Sequence, residues 1–130
     1  MSQAANAYAK AAHTAQSPRE IEATVLMKAA TRLQIIRDDW SAKSRELDDA
    51  LTFNRKLWTV LVTSVTDAAN PLPTPIKENV ANLGLFVFNH TLSLMSDAKP
   101  ERLGILININ RELAAGLRGM GVPEDTVAAA

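Results

Sequence analysis

The residues of this chain that could do chemistry are two histidines, three adjacent acidic pairs and one loose group of basic side chains, and their spacing argues against catalysis. His13 shares the polar side of an alanine-rich stretch with Gln3, Asn6 and Lys10, which predicts a solvated imidazole. His90 falls on an apolar line at helical spacing with no second histidine or carboxylate pair beside it. A hydrogen-bonded structural histidine therefore explains it better than a metal ligand does. Asp38-Asp39, Asp48-Asp49 and Glu124-Asp125 are sequence neighbours. Adjacent helical residues point about 100° apart, so such pairs cannot share a proton or an ion. No glycine-rich phosphate loop or nucleophile elbow occurs, and the absence of cysteine excludes disulfides, thiolate ligands and thiol catalysis. The expectation is a protein with no enzymatic activity, no cofactor and no metal.

Arg32, Arg37, Lys43, Arg45, Arg55 and Lys56 form the basic group, the one feature favouring RNA. Glu46, Asp38, Asp39, Asp48 and Asp49 are interleaved with them, and 14 basic residues balance 14 acidic ones over the chain. A mixed solvated surface is the plainer reading, with RNA-binding post-transcriptional regulation kept as the alternative function. No apolar run approaches the roughly 18 residues of a membrane span. Residues Met1 to Ala7 lack the basic and apolar regions of a signal peptide. A cytoplasmic protein without membrane insertion is expected.

Positioning is the work of helices. Leu47, Leu51, Asn54, Trp58, Leu61 and Val65 recur at steps of four, three, four, three and four, and Phe53, Leu57 and Val60 widen that line. This pattern predicts a central helix, running to about Asp67, that needs neighbours on more than one side. Ser17-Pro18-Arg19-Glu20 combines a capping serine, a first-turn proline and a glutamate able to reach back. A helix is predicted from Pro18 through Ile21, Leu26, Leu33 and Ile36 to about Trp40, then either a turn near Ser41 to Ser44 with one of these serines as the next cap, or a helix continuing through it. Asn70-Pro71-Leu72-Pro73-Thr74-Pro75 is read as the rigid stop of the central helix, with Thr74 capping the one that follows. That helix carries Ile76, Val80, Leu83, Val87, His90 and Leu94 on one line and Leu85, Phe88, Leu92 and Met95 on another. After a turn at Ser96 to Pro100, a last helix places Leu103, Leu106, Asn110, Leu113 and Leu117 together, with Gly116 and Gly119 as stop signals.

The fold class that results is all-α: an up-down bundle of four principal helices plus a short, weakly docked N-terminal helix over residues 3–15. At 130 residues the chain is one domain, placed at residues 1–119, with residues 120–130 as a disordered tail. Asn54 and Asn110 occupy core-facing positions where an unpaired amide would cost about 1–3 kcal/mol, so each must find a partner. Fixing helix register is the structural role open to them, and contact with another protein is the functional one. The second line, Leu85, Phe88, Leu92 and Met95, is either buried between two neighbours or a docking groove for another chain.

Ser17-Pro18-Arg19-Glu20, Leu57-Trp58, Asn70-Pro71-Leu72-Pro73, Asn79-Val80-Ala81-Asn82-Leu83-Gly84 and Ile109-Asn110-Arg111 together resemble the FlaF family of flagellar biosynthesis regulators, over about Ala5 to Gly119. The resemblance implies a cytoplasmic protein of flagellated alphaproteobacteria that promotes flagellin production. It implies flagellin as the bound client of a secretion chaperone and the FlbT regulator as an opposing factor and candidate partner. No catalytic motif comes with the family. The residues assigned to partner contact are Leu85, Phe88, Leu92, Met95, Asn54 and Trp58.

Overall fold

The computed structural model describes residues 17–121, and among them every regular element is helical. The principal helices are α1 (Pro18–Asp38), α2 (Leu47–Val65), α3 (Thr74–Ser96) and α4 (Gly104–Gly121). The helix expected over residues 3–15 lies outside the described residues, as do residues 122–130 of the tail expected from 120, while residues 120 and 121 belong to α4. α4 runs past both Gly116 and Gly119, so neither glycine stops it.

α1 begins where its cap dictates. Ser17 is extended at φ −67° and ψ 157°, and its Oγ accepts the Glu20 backbone N–H at 3.1 Å. The Glu20 carboxylate accepts instead from Arg118 Nε at 3.0 Å, tying the start of α1 to the last turn of α4. The break after α1 comes at Asp39, followed by a single turn at Trp40–Lys43 and a 3-10 turn at Ser44–Glu46. Neither Ser41 nor Ser44 caps α2, because Glu46 already has helical backbone and the chain enters α2 without an extended residue that would need a cap.

α2 ends at Val65, well ahead of the prolines. Side-chain turns take over there: Asp67 Oδ1 accepts from Ala69 N and Asn70 Oδ1 from Leu72 N, both at 2.9 Å. Asn70 Nδ2 also donates back to Ser64 Oγ at 2.9 Å, and Leu72 is drawn into the core. Thr74 is the first residue of α3 and not its cap. The extended residue before it is Pro73, which presents no side-chain acceptor. Lys99 is extended ahead of Pro100 as the proline requires, and a 3-10 turn at Pro100–Arg102 leads into α4.

Short connectors reverse the chain between consecutive helices, giving the up-down bundle. α1 packs most extensively on α4 and α2 on α3, and the two pairs meet chiefly where α1 touches α2. Trp58, Leu26, Leu33, Leu51, Leu94 and Leu106 are wholly buried at the centre. On α3 the inward line is Val80, Gly84, Val87, Thr91 and Leu94. Leu83 and His90, expected on that line, sit on its shoulder and are half-buried. Thr91 is tolerated inside because its hydroxyl donates to Val87 O at 2.6 Å. Gly84 is required there: a β-carbon at this position would lie 2.3 Å from Val62 Cγ2 of α2.

Candidate partner-binding surface

The six residues expected at a partner contact separate into two groups. Asn54 and Trp58, four residues apart on α2, are 0% exposed and face the chain's own helices, which corrects their assignment to partner contact. Trp58 Nε1 donates to Asn110 Oδ1 at 2.9 Å, and Asn110 Nδ2 donates to Asn54 Oδ1 at 2.7 Å and to Leu26 O at 3.4 Å. An indole only donates, so it turns the Asn110 oxygen toward α2 and thereby aims the amide nitrogen at Asn54 and α1. The physical reason for their burial is this three-helix network, which holds α1, α2 and α4 in one register. Asn54 Nδ2, at the end of the chain of donors, finds no partner among the described residues.

The second group lies on α3. Leu85 is 61% exposed, Leu92 63% and Met95 50%, while Phe88 is half-buried against the core. Spaced by three, four and three residues, they form one ridge along the helix. Burial between two bundle neighbours is therefore excluded for three of the four. Among the described residues, four of the seven exposed large apolar side chains, counting Phe86, belong to this one helix.

Phe86 and Leu83 stand on the opposite shoulder of α3, where α3 and α4 diverge. With Ile105 and Ile109 of α4 they line a shallow depression of about 360 Å³, which continues past Ile76 and Leu113 toward Gly116. Sequence periodicity did not mark Ile105 as a surface residue. The only available signal was its offset from the line through Leu106 and Asn110.

His90 has a structural place. Its Nε2 donates to Arg102 O at 2.8 Å, and its ring stacks on Phe86 with centroids 5.4 Å apart. Arg102 in turn donates from Nη1 to Asp97 O at 2.7 Å, satisfying a carbonyl just past the end of α3. These contacts pin the α3–α4 connector. In the basic group, Arg37 pairs with Asp38 and Lys43 with Glu46. Local pairing of this kind leaves less free positive charge than the residue list implies.

Among the described residues no helix is long and apolar enough to cross a membrane. The family model described as flagellar protein FlaF matches residues 4–117. Comparison with curated proteins and with solved structures found no match.

Proposed function

The chain belongs to the FlaF family of flagellar proteins, and from that premise we propose that it is a non-enzymatic chaperone and regulator that binds flagellin in the cytoplasm and promotes its production and export. The observation that carries the reading is the ridge of Leu85, Leu92 and Met95 along α3. Isolated apolar side chains are ordinary on a protein surface, but a row at three-four-three spacing over the second half of α3 matches the seam an amphipathic helix would cover. Phe88, rooted in the core beneath that row, gives the ridge a rigid base.

The chemistry of such a site is burial without bond making. Covering one exposed leucine is worth about 1.5–3 kcal/mol before ordering costs, so a few ridge residues suffice for a client that must be released at the export machinery. The core network of Trp58, Asn110 and Asn54 supports the site indirectly, holding α2 in place under α3. The test is a calorimetric titration of the purified protein with flagellin, together with flagellin export measured in cells lacking the protein. Binding with impaired export supports the proposal; no binding with normal export ends it.

A further inference from the structure

The two tight helix pairs, α1 with α4 and α2 with α3, leave a depression along each edge where the pairs meet. The α3–α4 edge has been described above. The α1–α2 edge is larger, about 520 Å³, and its walls are Pro18, Ile21 and Val25 of α1 facing Leu57, Val60 and Leu61 of α2. Val60 is 66% exposed on this wall, the most open large apolar side chain among the described residues. One end of the trough is Pro18 itself, so the chain preceding α1 arrives at its mouth with no distance to cross.

The chemistry of that preceding segment suits the trough. At helical spacing Ala4, Ala5, Tyr8, Ala11, Ala12 and Ala15 fall on one side, a face of small residues with a single aromatic. Alanines permit the close approach that a shallow trough demands, where a leucine face would stand off. The wall from Phe53 to Ser64 is about 16 Å long at 1.5 Å per residue, which the thirteen residues 3–15 are long enough to cover.

We propose that the α1–α2 trough is the docking site of the chain's own residues 3–15, whose one large apolar side chain is Tyr8. The trough then serves the protein's own N-terminus, on a different edge of the bundle from the α3–α4 depression. The inference is independent of whether flagellin is the client.

The chain has no cysteine, so a single introduced thiol reports its own surroundings. Val60→Cys is placed in the full-length chain with and without Tyr8→Asp, and the rate of thiol alkylation is measured. Ile105→Cys in the α3–α4 depression serves as the comparison. With residues 3–15 docked, Tyr8→Asp speeds alkylation at position 60 by about fivefold or more and leaves position 105 unchanged, as expected for release of a locally docked segment. Equal rates at position 60 in both backgrounds overturn the proposal. A change at position 105 alone assigns the segment to the other edge, and protection at position 60 that grows with protein concentration assigns the trough to a second copy; either result also overturns it.

Discussion

Trp58 Nε1 and Asn110 Oδ1 lie 2.9 Å apart in a wholly buried hydrogen bond that links α2 to α4 across 52 residues of sequence. The two asparagines of this network are unequal. Removing Asn110 orphans the indole N–H and the Asn54 oxygen together, whereas removing Asn54 leaves Asn110 still bonded to Trp58 and Leu26 and eliminates the unpartnered Nδ2. Asn110→Leu should cost about 2–4 kcal/mol of unfolding free energy and Asn54→Leu less than about 1 kcal/mol. Urea unfolding of both variants checks the order. Equal losses would mean that the amides do not act as a directed chain.

Gly84 marks the closest approach of α2 and α3. An added methyl meets Val62 Cγ2 at 2.3 Å, and a β-branched valine has little rotamer freedom with which to yield. Gly84→Ala should therefore destabilise by about 1–3 kcal/mol even though alanine is the better helix former. Adding Val62→Ala should recover more than half of that loss in a double-mutant cycle read by thermal unfolding.

At the start of α1, Ser17→Ala removes the cap to Glu20 N and should cost about 1 kcal/mol regardless of salt. Glu20→Gln breaks the partly exposed pair with Arg118. Its cost should stay below about 1 kcal/mol and shrink as salt is raised. Unfolding at low and high ionic strength separates the two.

How far the residues announce this arrangement depends on what kind of information each carries. The cap at Ser17, the buried line of α2 and the extended Lys99 before Pro100 are local, and all are found where periodicity and backbone sterics put them. Thr74 and the two serines near α2 are not caps, because capping depends on whether the preceding backbone is extended, which composition does not show. Gly84 and Thr91 were invisible on the inward line of α3, since a glycine facing a valine and a threonine bonded to its own helix look polar or neutral in a hydropathy pattern. Periodicity gives the faces of α3 but not which flank a neighbour covers. That is set by where the neighbouring helices lie against it, and it leaves Leu85, Leu92 and Met95 open.

Phe88 and Leu92 stand four residues apart on one ridge and should respond in opposite ways to the same change. Phe88 is packed against the core, so Phe88→Asp buries a charge and should lower stability by several kcal/mol or prevent folding. Leu92 is 63% exposed, and Leu92→Asp should leave the melting temperature within a few degrees of the parent. Thermal melts followed by circular dichroism make the comparison.

The measurement closest to the central claim is the calorimetric affinity for flagellin of the parent protein beside folded Leu92→Asp. If the α3 ridge holds the client, the substitution weakens binding by at least about tenfold, since it removes an apolar contact and places a charge in its stead. Unchanged affinity in a variant that melts like the parent would contradict the account.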